Sequence, residues 1–228
     1  VPLHDHNESE KGPWLVERAL EGDTVLVVSD AGTPTVSDPG FQLVKLAEGA
    51  GVRTVPLPGP SAALAALSVS GLPTDRFVFE GFLPRKKSEQ HRVLASLASE
   101  PRTIILFESP RRTAQTLANL VEVFGSARPA ALCRELTKTY ESVVRGSLGD
   151  LAALTAKNEV LGEVTLVIGG FDRSVEGPAD LEALARQVLE LASDSGLRLK
   201  DAAAAVAEQS GVRKNQLMEL ALKLRSKV

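Results

Sequence analysis

Apolar residues along this chain fall into short blocks separated by glycine, proline and small polar residues. Val25 to Ser29 is an apolar run rich in β-branched valine, the pattern of a strand buried on both faces. Asp38 and Pro39 fit the cap and first position of a helix that runs to about Glu48, with Gly51 past its end. Residues 52–57 read as a second strand. Residues 58–70 read as a turn and an alanine- and leucine-rich helix closed by Gly71. Strand, helix, strand and helix in this order are the pattern of a parallel βαβ sheet.

GLPTDR, residues 71–76, reads as a linker. Beyond it, FVFEGF, RTIILFES, PAALCREL, YESVVRGS and GEVTLVIGG carry strand patterns. SEQHRVLASLAS and SPRRTAQTLANLVEVFG carry helix patterns, the latter with Ser109 as its cap and Pro110 in its first turn. After a second linker, FDRSVEGP, only helical periodicity remains, and the last two helices are spaced as a helix-turn-helix. The pattern therefore predicts an α/β protein in three parts. These are an N-terminal α/β domain (1–73), a second α/β domain (74–172) and a helical, helix-turn-helix-like tail (173–228).

Composition narrows the classes. The 228 residues are 43% hydrophobic and 24% charged, with a net charge of −3. That balance argues against capture of nucleic acid by overall charge but permits a local basic face. The single cysteine, Cys133, excludes an internal disulfide and suits a reducing compartment. No run approaches the length of a membrane span and no signal peptide is visible, so a soluble, cytoplasmic protein is expected. The chain opens on Val1, and VPLHDHNESEK reads as starting within an element, as a truncated chain would.

Candidate chemistry gathers where strands end. In open α/β sheets, ligands bind beyond the carboxyl ends of the strands. SDAGTPTVSDPG follows the first strand and PLPGPSAA the second, and two such small-residue turns at neighbouring strand ends form a crevice. Gly32 permits close approach of backbone to a ligand. The turns carry Asp30 and Asp38 but no lysine or arginine, so a cationic or hydroxyl-rich ligand fits better than a polyphosphate. No Walker or dinucleotide-binding glycine pattern is present. LFESPRR and CRELTKTYE bring Glu108, Arg111, Arg112, Arg134, Glu135 and Lys138 to other strand ends. Surface ion pairs explain any one of these singly; as a group they suggest a polar site. His4 and His6 share a face of an extended segment but lack a third ligand, so no metal is expected.

SDAGTPTVSDPG, PLPGPSA, GLPTDRFVFEGFLPRK, FESPRR and RELTKTYE together resemble the tetrapyrrole methylase family. Within it they are most similar to the bacterial enzymes that 2′-O-methylate a cytidine of 16S ribosomal RNA. The resemblance runs from about His4 to Gly169, and less distinctively through the tail. It implies two α/β domains with S-adenosylmethionine in the cleft between them, against the loop of Asp30, Ala31, Gly32, Thr33 and Val36. Ser61 and Ala62 are implied as further contacts, with Phe107, Leu136, Val164 and Thr165 enclosing the cofactor. Thr33 stands where many relatives have aspartate. The family's opening strand and glycine-containing loop are not found, which implies an incomplete cofactor site in the chain as given.

The implied partners are 16S ribosomal RNA or the 30S subunit, and a second copy in a homodimer. Glu108, Glu135 and Lys138 are the candidates for proton handling and orientation. Arg85, Lys86, Lys87, Arg92, Arg111, Arg112, Arg134, Arg213 and Lys214 are the candidates for RNA contact; a solvated helix start explains the run at 85–92 equally well. Methylation of a tetrapyrrole or protein side chain, and a catalytically silent RNA-binding or assembly role, are the alternatives.

Overall fold

The computed structural model describes residues 1–4, 6–29, 32–172, 181–194, 196–210 and 213–225. The chain divides into two compact units, Val1–Phe171 and Asp172–Val228.

The first unit is built on a mixed five-stranded sheet in the order β1-β2-β5-β3-β4. Its strands are β1 (Phe77–Phe82), β2 (Thr103–Glu108), β3 (Pro129–Arg134), β4 (Ser142–Ser147) and β5 (Val164–Ile168). Only β1 and β2 run parallel, joined across helix α4 (Lys87–Leu97); β5 and β3 enter antiparallel to their neighbours. β2, β3 and β5 are almost wholly buried, which is why they read as continuous apolar runs.

One face of the sheet packs on α4, α5 (Pro110–Phe124) and α6 (Leu148–Lys157) through Leu94, Ile104, Leu106, Leu117, Leu120, Leu148, Leu151 and Leu166. Each such leucine or isoleucine contributes roughly 1.5–3 kcal/mol by leaving water. The opposite face packs on α3 (Ala62–Ser70) through Ala63, Ala66, Leu67, Ile105, Ala131, Cys133 and Val167. Alanines on α3 let the helix backbone approach the strands closely. Gly71 ends α3 in the left-handed region, φ 77°, the conformation that favours glycine at a helix end.

The N-terminal stretch departs from expectation. Residues 25–29 and 52–57 form no ladder among the described residues, and Leu26 and Val28 are exposed, at 69% and 76%. A β-branched run is a strand only when neighbours take up its backbone groups, and no described strand flanks these. The parallel βαβ pattern expected across residues 25–71 is therefore absent there. The helix after them, α2 (Phe41–Gly49), starts beyond Asp38 and Pro39, with Gly40 at its cap position and no side-chain cap. α1 (Glu8–Leu20) packs on α2 through Val16, Leu43 and Ala47. Glu8, buried at its start, accepts a hydrogen bond from the Leu43 amide (2.9 Å). His6 and Asn7 lie in the turn that opens α1, so the segment is not extended throughout.

The second unit contains α7 (Leu181–Asp194), α8 (Leu199–Ser210) and α9 (Lys214–Arg225). All three pack on one another around Val188, Ala202, Val206, Leu217 and Ala221.

Candidate functional site

All five strands bring one end to the same edge of the sheet. Thr165, at the start of β5, sits opposite Phe107 on one side and Cys133 on the other; Val164 forms the next row with Glu108 and Arg134. Phe82, the last residue of β1, pairs with Phe107. Side chains alternate between faces. Phe107 and Leu136 therefore pack on the α3 face, as does the Thr165 position. Val164 instead points into the core beneath α4–α6, so its side chain is not on the face shared by the other three.

α3 is aimed at this edge. The segment after its C-terminus lies at the opposite edge, with Leu72 beside Gly169, so its N-terminus faces the strand ends. Ser61 caps that N-terminus by accepting from the Leu64 amide (3.4 Å). The Thr33 hydroxyl donates to the Pro60 carbonyl (2.9 Å). This bond joins the two small-residue turns into one rim, which carries Thr33, Ser61, Ala62 and the half-exposed Val36. Asp30 and Ala31 lie outside the described residues. Gly32 has φ 80°, and a Cβ placed on it would meet no atom within 4 Å. The same rim reaches β1, since a Cβ on Gly81 would stand 3.1 Å from the Ser37 hydroxyl.

The backbone at this edge is strained. Among the described residues, the non-glycine positions with positive φ are Thr35 (75°), Ser37 (61°), Glu135 (50°) and Thr137 (66°). Two belong to the rim and two to the loop after β3. Each costs on the order of 1–3 kcal/mol, and such strain concentrates at functional sites.

The loop after β3 is tied down by charge. Glu135 and Glu163 are joined by two hydrogen bonds: the Glu135 amide donates to the Glu163 carbonyl (3.0 Å), and the Glu163 amide donates to the Glu135 side chain at Oε1 (2.8 Å). Lys138 Nζ lies 3.1 Å from both Glu135 Oε1 and Glu163 Oε1. The Glu163 amide, then the Lys138 ammonium, hold the Glu135 carboxyl below its usual range. Glu163 and Glu135 hold Lys138 above its usual value. Lys138 is thus a fixed cation rather than a ready base, and Glu135 is a fixed carboxylate.

Glu108 is held differently. Its carboxylate has no exposed surface and lies 3.4 Å from Arg112 Nε. It accepts from the Ser109 amide (2.7 Å) and from the Thr116 hydroxyl (2.7 Å). Thr116 also accepts from Gln90, and Gln90 from Asn119, so the network crosses from β2 through α5 to α4. Arg112 donates onward to the carbonyls of Leu83 (2.9 Å) and Pro84 (3.1 Å). Glu108 and Arg112 are therefore partners of each other inside the fold.

The expected RNA contacts spread over several places. Arg85, Lys86 and Lys87 are exposed at and before the start of α4, with Lys86 paired to Glu89 (3.3 Å), and Arg92 is exposed midway along that helix. Arg111 is exposed; Arg134 is half-buried and donates to the Ser142 hydroxyl (3.3 Å). In the second unit, Arg213 is exposed just ahead of α9 and Lys214 is half-buried at its first position. Residues that sequence reasoning did not single out also belong to this edge: Phe82, Gly162 and Glu163. A glycine inside the strand pattern FVFEGF signals the irregularity that places Phe82; Gly162 and Glu163 carry no signal apart from their position before a buried strand.

The model for tetrapyrrole (corrin/porphyrin) methylases matches residues 2–152, and that for the RsmI C-terminal HTH domain matches residues 179–225. The chain is 50% identical to the ribosomal RNA small subunit methyltransferase I of Mycobacterium tuberculosis (strain CDC 1551 / Oshkosh), over 99% of this chain and 77% of that protein. It is 45% identical to the protein of the same name in Pseudomonas aeruginosa, over 98% and 79% respectively. Among solved structures it is similar to the methyltransferase CobJ (TM-score 0.53, 23% identity, 72% of this chain and 71% of that one). It is also similar to the uroporphyrin-III C-methyl transferase of Thermus thermophilus complexed with S-adenyl homocysteine (TM-score 0.52, 20% identity, 72% and 73%). Those two likenesses concern the fold. With a family model spanning most of its length and a 50% identical relative, the chain belongs to the tetrapyrrole methylase family.

Proposed function

We propose that this protein uses S-adenosylmethionine to methylate small-subunit ribosomal RNA, at the 2′-hydroxyl of a cytidine ribose. The observation that carries the reading is the convergence of strained, hydrogen-bonded loops on one edge of the sheet. The names of the relatives at 43–50% identity supply the substrate class.

The residues present fit such a cofactor. The described part of the rim offers hydroxyls and backbone and no lysine or arginine, which suits a sulfonium cation and a hydroxylated ribose. Gly32 leaves open space where a ligand would approach backbone. Thr33, Val36, Ser61 and Ala62 would hold it from the rim, and Phe107, Leu136, Thr165 and the Val164 backbone from the strand ends. Asp30 and Ala31 belong to the same proposal. When bound, adenosylmethionine supplies an electrophilic methyl group on sulfur.

The chain's own contribution is alignment of the ribose oxygen with that methyl, worth several orders of magnitude when the geometry is held. Lys138, pinned by Glu135 and Glu163, provides a fixed positive charge that steers the RNA backbone. Of the two carboxylates among the candidates for proton handling, Glu135 is the one on a strained loop at the site; Glu108 and Arg112 support the edge from inside. Arg85, Lys86, Lys87, Arg92, Arg111 and Arg134 would meet phosphates. The proposal further takes the protein as a cytoplasmic homodimer of three parts, 1–73, 74–172 and 173–228. Among the described residues, no helix is long and apolar enough to cross a membrane.

The test is mass mapping of 16S ribosomal RNA from cells with and without the gene, paired with transfer of labelled methyl to isolated 30S particles. Loss of one ribose methyl on a cytidine supports the proposal. An unchanged methylation map, with no transfer to 30S, overturns it.

A further inference from the structure

β1 carries a bulge whose consequence is the placement of one aromatic ring. The register with β2 runs Phe77–Thr103, Val78–Ile104, Phe79–Ile105, then skips to Gly81–Leu106 and Phe82–Phe107. In a regular strand, Phe79 and Phe82 would point to opposite faces. The extra residue puts them on the same one, and bulges beside active sites re-aim side chains in this way. Gly81 takes φ 62° to do so.

Phe82 consequently stands over the α3 face, at the edge where the strained loops converge. Its ring packs against Phe107 (centroids 5.7 Å apart), and Phe107 packs edge-on against Phe79 (4.9 Å). The ring is held from behind, yet Phe82 remains 56% exposed. The next residue, Leu83, is buried in the core on the opposite face, and Arg112 clamps the Leu83 and Pro84 carbonyls. Three exposed cations follow at once: Arg85, Lys86 and Lys87. A fixed, open aromatic ring closely followed by exposed cations, Lys86 among them paired to Glu89 at the surface, is the combination by which proteins hold unpaired nucleotides, the ring stacking a base and the cations meeting phosphates.

We infer that Phe82 is a stacking platform for an unpaired nucleobase of the RNA substrate, at the lip of the methyl-transfer crevice. The inference rests on the RNA reading above. The adenine of the cofactor is the other source of a nucleobase. The cations beside Phe82 favour the RNA, because the described residues of the two small-residue turns expected to hold the cofactor carry none.

The full chain with Phe82→Ala and Phe82→Trp tests this. The probes are a short single-stranded RNA carrying 2-aminopurine, adenosylmethionine alone, and 30S particles for methyl transfer. Phe82→Ala is expected to abolish quenching of 2-aminopurine and to weaken RNA binding about 5- to 150-fold, the range a base–aromatic stack carries. Adenosylmethionine affinity should stay within about twofold, and Phe82→Trp should restore RNA binding. Unchanged RNA affinity in Phe82→Ala overturns the inference, as does a selective loss of adenosylmethionine binding, which would assign the ring to the cofactor's adenine. Failure of the unmutated protein to bind RNA or methylate 30S would fell the RNA reading itself, and the inference with it. Binding and methylation that survive Phe82→Ala would fell the inference alone.

Discussion

Gly162 holds the position of Glu135. It has φ 81°, and a Cβ placed on it would lie 2.5 Å from Cγ, Cδ and Oε1 of Glu135. Gly162→Ala is expected to cost about 1–3 kcal/mol for the left-handed backbone and to push the Glu135 carboxylate off the Glu163 amide. Methyl transfer to 30S should fall while the urea midpoint drops only modestly; intact transfer in a destabilised protein would show that Glu135 has no positional role. The ion cluster also predicts a pH response. The Glu135 carboxyl is lowered from 4.5, so its contribution is present above that value and lost as pH falls below it. Lys138 is raised from 10.5, so its contribution is complete below that value and lost as pH climbs above it. Between those limits the cluster keeps one charge state, and neither residue should give an inflection in the pH–rate profile. An inflection near neutrality that disappears in Glu135→Gln would contradict this. Sequence showed Glu135 and Lys138 as a polar cluster but not their poise, because Glu163 reaches them only through the pairing of β3 with β5.

The network beneath β2 shows how elements fix the site. Thr116 is buried and donates to Glu108, whose carboxylate has no exposed surface. Thr116→Val keeps the shape and removes that donor; a hydrogen bond to a charged group is worth about 1.5–3 kcal/mol. Denaturant unfolding should show a loss of that size, and a loss below about 0.5 kcal/mol would mean that Ser109 and Arg112 satisfy Glu108 without it. Elements in residues 77–171 were largely legible, since strands buried on both faces read as apolar runs between strong turn signals. α6 was not, because Ser147 both ends β4 and caps α6 in a capping box with Asp150, leaving no linker between them. α1 was not anticipated; Gly12 and Pro13 lie inside it, and a Cβ on Gly12 would stand 2.8 Å from Leu46, so its absence lets α1 approach α2. The runs at 25–29 and 52–57 misled for the opposite reason: local pattern carries no information on whether a partner strand is there to complete a ladder.

At the scale of the molecule, the question is what the helical unit adds. Val188, Ala202, Val206, Leu217 and Ala221 form a core of their own, and the division from the first unit falls at Phe171 and Asp172. A unit with its own core and a separate boundary is expected to fold alone. Arg213 and Lys214 stand at the start of α9, where helix-turn-helix proteins concentrate their contacts to phosphates and bases. The unit is therefore expected to dock a large RNA or ribonucleoprotein and to take no part in the chemistry. A chain ending at residue 173 should retain adenosylmethionine affinity within about twofold and lose most methylation of 30S. Arg213→Gln with Lys214→Gln in the intact chain should weaken binding to 30S and reduce its salt slope by about 2. Equal activity of the shortened and intact chains on 30S would remove the docking role and leave the unit as a packing or dimer-stabilising element.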